Sequence, residues 1–143
     1  MSDILHDFPV FAPASRVFEA VSTPAGLDRW WTITSSGEPR LGTEYALDFG
    51  PTYQWRARVS ACEPDRLFEL ELTTAMDDWI GTRVRFDLTE TNGTTQVRFA
   101  HLGWPDPTEH YRVSSFCWAM YLRLMKRNVE HGEVVPYELR LDV

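Results

Sequence analysis

Hydrophobic and polar residues alternate through the middle of the chain, from residue 45 to residue 101. A period of two sends successive side chains to opposite faces of a strand, so each run predicts a strand with one buried face. Gly, Pro, Asn and Asp residues separate the runs and predict turns. A looser alternation at 3–11 predicts a further strand, and the whole pattern favours an antiparallel meander that is apolar on one face only. The side chains expected to point inward are Tyr45, Leu47, Phe49, Tyr53, Trp55, Ala57, Val59, Phe68, Leu70, Leu72, Val84, Phe86, Leu88, Val97, Phe99 and His101.

The register of the last two strands follows from Asn92-Gly93, a strong signal for a two-residue hairpin turn. A turn of that length fixes which residues face each other across the hairpin. His101 is then the one titratable side chain that falls among the inward positions. The expected pairs are Leu88 with Val97, Asp87 with Arg98, and Val84 with His101.

Charged residues on the outward faces of three successive strands favour the same strand order. Opposite charges meet across both ladders when the acidic strand lies between the two basic ones, and each pair contributes roughly 0.2–1 kcal/mol. The alternative interpretation is an anion-binding stripe. The basic strands carry Arg56, Arg58, Arg83 and Arg85, and the acidic strand carries Glu69 and Glu71.

A helical period replaces the alternation near the N-terminus. Pro13 stands where proline is tolerated, in the first turn of a helix. The apolar face of this first helix consists of Ala14, Val17, Phe18 and Val21.

A second, short helix is predicted to begin at Thr23-Pro24, which joins a capping hydroxyl to a proline at the first helical position. Trp30 and Trp31 follow Leu27 at three and four positions. Both tryptophans are therefore expected on the same side of this helix.

A long helix is predicted over residues 107–131, with two apolar stripes. The sequence 106-DPTE-109 reads as a capping box, and Gly132 is a natural stop. The first stripe, expected to face the sheet, consists of Val113, Phe116, Cys117, Met120, Tyr121 and Leu124. The second consists of Trp118, Leu122, Met125 and Val129.

The second stripe makes the apolar arc of this helix unusually wide. We expect the N-terminal helices or the C-terminal tail to cover it. The alternative is a homodimer through Trp118, Leu122 and Met125.

Composition narrows the class of protein. The 143 residues fit one domain over 1–143, and the formal net charge of −7 argues against binding nucleic acid or anionic lipid. No segment approaches the roughly 18 apolar residues of a membrane span, and the N-terminus does not resemble a secretion signal. We therefore expect a cytoplasmic protein in which Cys62 and Cys117 are free thiols.

The spacings typical of metal, serine-nucleophile, dinucleotide and phosphate sites are missing, so no catalytic residue, metal or cofactor is predicted. Asp77-Asp78 is interpreted as a turn, and His110, like the remaining histidines His6 and His131, as a surface residue. His101 is either a core histidine bonded to a carbonyl or a tyrosine hydroxyl, or an acid, base or ligand anchor.

The sequences 17-VFEAVSTPAGLDRWW-31, 81-GTRVRFDL-88 and 94-TTQVRFAHLGWP-105, followed by a long helix, resemble the activator of heat-shock protein 90 ATPase homologue family. This family belongs to the START-like, polyketide-cyclase-like (SRPBCC) superfamily named for the birch-pollen allergen. The resemblance implies an α+β helix-grip fold, in which a curved antiparallel sheet wraps a long C-terminal helix and two short helices close one end. The tail 133–143 lies outside it.

The resemblance also implies a cavity between the sheet and the long helix. The chain has a high aromatic content of 13%, with six tryptophans, that can line it. We therefore expect a protein that binds a hydrophobic small molecule, either lipid-like or polycyclic aromatic. The alternatives are a cochaperone-like module and a cyclase or aromatase that uses His101; whether the protein is an enzyme stays open. The expected cavity residues are Trp31, Tyr45, Trp55, Phe86, His101, Phe116 and Met120.

Overall fold

A computed structural model describes residues 2–143. Its seven strands form one antiparallel sheet in the order β1-β7-β6-β5-β4-β3-β2. Strands that follow each other in the chain lie side by side, as the alternating pattern predicts, and only β1 crosses over to pair with β7. The strands are β1 (Ser2–Val10), β2 (Thr34–Ser36), β3 (Glu44–Asp48), β4 (Gln54–Glu63), β5 (Leu67–Thr74), β6 (Arg83–Thr91) and β7 (Thr94–Trp104).

The β6–β7 hairpin has the predicted register. Asn92 and Gly93 both have positive φ, which the tight two-residue turn requires. Leu88 faces Val97 and Val84 faces His101, as expected. The inward position of His101 is confirmed, because its side chain is 0% exposed.

The charge order across β4, β5 and β6 is also confirmed. Arg58 lies 3.3 Å from Glu71, and the largely buried carboxylate of Glu69 lies 3.5 Å from Arg83 and 3.3 Å from Arg85. These pairs hold the register on the outer face while the apolar side chains hold it on the inner face.

Helices α1 (Ala14–Ser22) and α2 (Pro24–Asp28) close one end of the sheet. The Thr23 hydroxyl accepts a hydrogen bond from the Gly26 amide at 3.0 Å, which confirms Thr23 as the cap of α2. Helix α2 is shorter than predicted, so Trp30 and Trp31 lie in the turn that follows it.

Helix α3 (Glu109–His131) begins two residues later than predicted. The capping box at Asp106 was a wrong prediction, because the Thr108 hydroxyl accepts from the Tyr111 amide at 3.3 Å and caps the helix instead. The predicted stop is confirmed: Gly132 ends the helix with φ of 70°, a left-handed conformation that favours glycine.

The prediction of which face of α3 meets the sheet was wrong. Trp118, Leu122 and Met125 are buried in the core, whereas Phe116 is 80% exposed. A homodimer through Trp118, Leu122 and Met125 is therefore wrong as well, since these side chains already pack within the chain. Both stripes are apolar, and helical periodicity alone does not select between two apolar stripes.

Two further findings concern the cysteines and the apolar length of the helices. Cys62 and Cys117 are free thiols, as expected. None of the helices in residues 2–143 is long and apolar enough to cross a bilayer.

Candidate functional site

A cavity of about 230 Å³, open to solvent on one side, lies between the β3–β4 hairpin and the N-terminal half of α3. The loop 75–82, which connects β5 to β6, forms a third side. Five of the aromatic residues that line it contact one another, and we call them the aromatic wall: Trp31, Phe49, Trp55, Trp79 and Trp118.

The aromatic wall is a closed circuit of ring contacts. Centroids lie 5.4 Å apart for Trp31–Phe49 and 4.8 Å for both Phe49–Trp55 and Trp55–Trp79. The circuit closes through Trp79–Trp118 at 6.1 Å and Trp118–Trp31 at 5.1 Å. Edge-on, tilted and stacked contacts at these distances are favourable, so the five rings support one another.

The two adjacent tryptophans have different roles. Trp30 is 0% exposed and its indole N–H donates to the Ala20 carbonyl at 2.9 Å, which anchors the turn to α1. Trp31 stacks on Trp30 at 6.1 Å and presents its other side to the cavity. Trp30 is therefore a core residue, and Trp31 is part of the aromatic wall.

Hydrogen bonds connect His101 to the aromatic wall. The indole N–H of Trp118 donates to His101 Nδ1 at 3.0 Å, and His101 Nε2 lies 2.8 Å from the Thr82 hydroxyl, which donates in turn to the Trp79 carbonyl. Because an indole nitrogen only donates, Nδ1 must accept and the ring proton must sit on Nε2. Burial, with a smaller effect from His110, lowers the pKa of His101 to about 3, so the ring is neutral.

This geometry corrects the prediction that His101 is a polar anchor, an acid or a base in the cavity. Both ring nitrogens already have partners within the protein, and His101 does not line the cavity. Its partners are Thr82 and Trp118 rather than the expected carbonyl or tyrosine. The side chain positions Trp118 and the loop 75–82.

Of the other predicted cavity residues, the structure brings Trp31 and Trp55 together in the wall. Tyr45 and Phe86 do point inward, but they are core residues that do not reach the cavity. The Tyr45 hydroxyl donates to the Ser22 carbonyl, and burial raises its pKa.

The two residues predicted from the helix side do not line the cavity. Phe116 points into solvent, and Met120 is only half-buried. The helix contributes Val113, Ser114, Cys117, Trp118 and Tyr121 instead, at the spacing of one helical face.

A histidine–carboxylate pair at the cavity was not foreseen. His110 Nδ1 lies 2.7 Å from Asp78 Oδ2, and His110 lines the cavity. The two residues had been interpreted as a surface histidine and a turn. No spacing signal connects them, since they are 32 residues apart.

The other titratable groups on the helix side of the cavity are neutral. Burial raises the pKa of the Cys117 thiol, and it raises the pKa of Tyr121 to about 12. Among residues 2–143, no three His, Cys, Asp or Glu side chains are grouped to hold a metal ion. The arrangement offers an apolar aromatic surface with one histidine–carboxylate pair beside it.

The C-terminal tail also contributes to the cavity, through Tyr137 in the 3₁₀ helix Tyr137–Asp142. Arg140 anchors this segment: its guanidinium donates to the carbonyls of Thr32 at 3.2 Å, Asp28 at 3.0 Å and Val135 at 3.0 Å. Burial lowers the pKa of Arg140, and three carbonyl oxygens compensate for the lost solvation.

The family model described as activator of Hsp90 ATPase homolog 1-like protein matches residues 11–130. The chain belongs to this family. The match includes every residue of the aromatic wall and also the His110–Asp78 pair. The tail that carries Tyr137 and Arg140 lies beyond it, so this part of the cavity in the present family member is built outside the family pattern.

Solved structures share the fold of this family member. The Aha1 dimer from Colwellia psychrerythraea is 27% identical, with 93% of this chain and 99% of that chain covered and a TM-score of 0.83. SSP2350 from Staphylococcus saprophyticus is 19% identical, with 94% and 96% covered and a TM-score of 0.79. CalU16 from Micromonospora echinospora is 21% identical, with 97% and 80% covered and a TM-score of 0.74.

These likenesses confirm the predicted α+β helix-grip fold of the START-like, SRPBCC type. At 19% and 21% identity, the second and third structures show a shared fold and nothing about function. No curated protein sequence matches the chain.

Proposed function

We propose that the protein binds a small hydrophobic molecule with a flat, aromatic face in the cavity between the β3–β4 hairpin and α3. The observation that carries this proposal is the aromatic wall, a closed circuit of five rings around an open cavity. Such a preformed surface offers a guest stacking and edge-on contacts, each contributing roughly 0.5–1.5 kcal/mol beyond the burial of its area.

The size of the cavity favours one of the two guest classes expected from the sequence. Its volume of about 230 Å³ lies below the roughly 300–1,000 Å³ of pockets that hold drug-sized ligands. A guest of one or two fused rings fits this space, whereas a long-chain lipid would leave most of its chain in solvent.

A substitution that fills the cavity is expected to remove binding. Cys117→Trp adds an indole at a position that lines the cavity, and Met120→Trp adds the same group to the same helix away from it. In equilibrium dialysis, naphthalene should bind saturably to the unmodified protein and to Met120→Trp. Binding to Cys117→Trp should be at least tenfold weaker.

Thermal unfolding of both variants provides the control for folding. If both remain folded and naphthalene binds Cys117→Trp as tightly as Met120→Trp, the guest does not occupy this cavity. Absence of saturable binding to the unmodified protein would contradict the proposed function itself.

A second candidate is self-association through the outer face of α3. It is supported by the exposure of Phe116 and by the Colwellia psychrerythraea relative, which was solved as a dimer. The groove beside Phe116 also contains the apolar residues Pro107 and Val113, together with the charged residues Glu109 and Arg112. The cochaperone-like alternative rests on the family description, with no contact that favours it.

Removing the aromatic side chain from this face is expected to weaken self-association. In sedimentation velocity over a concentration series, Phe116→Ser should raise the concentration at which the protein self-associates by at least tenfold. Leu41→Ser, which removes a comparably exposed residue between β2 and β3, serves as the control. A purely monomeric unmodified protein, or equal behaviour of both variants, would contradict this candidate.

A further inference from the structure

The His110 ring is held in a fixed orientation at the cavity. Its Nδ1 lies 2.7 Å from Asp78 Oδ2. The ring is nearly parallel to Trp79, with centroids 6.4 Å apart and an interplanar angle of 27°, and it meets Trp104 edge-on at 5.6 Å. A carboxylate on one side and two indoles on the others leave the imidazole little freedom to rotate.

The pairing with Asp78 also sets the chemistry of the other ring nitrogen. A carboxylate accepts, so an uncharged imidazole in this pair carries its proton on Nδ1 and a lone pair on Nε2. Within residues 2–143, no side chain or backbone group is bonded to Nε2. His110 therefore offers an oriented acceptor beside an apolar wall.

Trp79, which stacks on His110, has an unused hydrogen-bond donor. Its indole N–H is buried and has no hydrogen-bond partner among the described residues. A buried donor without an acceptor costs about 1–3 kcal/mol, so such a group is a natural place for a ligand oxygen. Two stacked residues that line the cavity thus have unused hydrogen-bonding groups, an acceptor on His110 and a buried donor on Trp79.

We propose that His110, positioned by Asp78, binds the hydroxyl group of an aromatic guest, so that the natural ligand is a phenol-like molecule. The guest O–H donates to His110 Nε2, and its oxygen lies on the side of Trp79, whose N–H needs an acceptor. This proposal rests on the proposed function and names the substrate class of the same cavity.

The charges and donors present argue against other polar groups. An anionic carboxylate would meet Asp78 and a protein of net charge −7. An ammonium group has donors but no acceptor for the Trp79 N–H. A hydroxyl both donates and accepts, and it does so without carrying a charge into an apolar cavity.

Ser114 is the rival anchor, because it lies one helical turn from His110 and also lines the cavity. The experiment must therefore separate a hydroxyl preference due to His110 from one due to Ser114. His110→Phe keeps a ring against Trp79 and removes the nitrogen, whereas Ser114→Ala removes only the hydroxyl.

The measured quantity is the ratio of the dissociation constants of naphthalene and 2-naphthol, obtained by equilibrium dialysis. This ratio isolates the hydroxyl, since the two probes share the same rings. His110→Phe should lower the ratio about tenfold, and the ratio cancels any change in the apolar contacts that both probes share. Asp78→Asn should lower it by a smaller factor, and Ser114→Ala should leave it unchanged.

A spectroscopic readout tests the contact directly. In protein labelled with ¹⁵N at histidine, 2-naphthol should shift the Nε2 resonance of one histidine, the one missing from His110→Phe. Naphthalene should not produce this shift.

The outcomes separate the two proposals. If naphthalene does not bind the unmodified protein, the proposed function fails. If naphthalene binds but His110→Phe leaves the ratio unchanged, or Ser114→Ala lowers it instead, the cavity remains and the assignment of the hydroxyl to His110 is overturned.

Discussion

A Trp30→Ala variant is expected to lose about 3–5 kcal/mol of the free energy of unfolding. The indole of Trp30 is 0% exposed and packs edge-on against Phe86, with centroids 6.2 Å apart. Its removal leaves a cavity in the core and also leaves the Ala20 carbonyl without its donor. Urea denaturation of the variant and the unmodified protein measures this loss. The slope of the free energy of unfolding against urea concentration should be the same for both.

Trp31→Ala provides the matched comparison, because the same side chain is removed one residue away. Trp31 is 4% exposed, but one side of its indole faces the cavity and has fewer protein contacts to lose. The loss should therefore be smaller than for Trp30→Ala by roughly 1 kcal/mol or more. Equal losses would mean that Trp31 is packed on all sides, and would remove it from the binding surface.

Acid is expected to destabilise the protein through His101. The histidine of the unfolded chain takes up a proton below its ordinary pKa of 6.5, whereas in the fold its pKa is lowered to about 3. Between these values the unfolded state binds more protons, so stability falls as the pH falls. The slope approaches about 1.4 kcal/mol per pH unit once the pH is well below 6.5.

His101→Gln is the control for this effect, because an amide can accept from Trp118 and donate to Thr82 without titrating. Urea denaturation at several pH values between 7 and 5 should give a clearly flatter pH dependence for the variant. An equal slope would assign the effect to other groups. Glu130 does not interfere in this range, because its pKa is lowered from the ordinary value: burial raises the pKa, but the hydrogen bonds from Lys126 and the Phe11 amide outweigh burial.

The sheet was largely predictable because its signals are local. The alternation and the Asn92-Gly93 turn fix strand faces and register within a few residues of each other. Strand β2 (Thr34–Ser36) was missed because three residues are too few to show a period. Capping of α3 was misassigned because Asp106 and Thr108 are both good capping residues, and only the structure shows which one bonds.

The site was predictable only in part, because its contacts are long-range. Trp31 and Trp55 could be placed from local pattern, but the orientation of α3 depends on the partners that bury Trp118. These are the rings of Trp31, Trp79 and Phe99, and the indole N–H also donates to His101 Nδ1. Periodicity contains no information about such a bond, nor about the approach of Asp78 to His110.

The origin of the aromatic wall has a consequence for how the chain matures in the cell. Its five residues come from four separate parts of the chain: the turn after α2, the β3–β4 hairpin, the loop 75–82 and helix α3. A growing chain that still lacks α3 has no cavity, so a guest can bind only after synthesis has passed that helix. With the proposed function, binding would stabilise only the completed fold, and turnover of the protein is expected to slow when the guest is abundant.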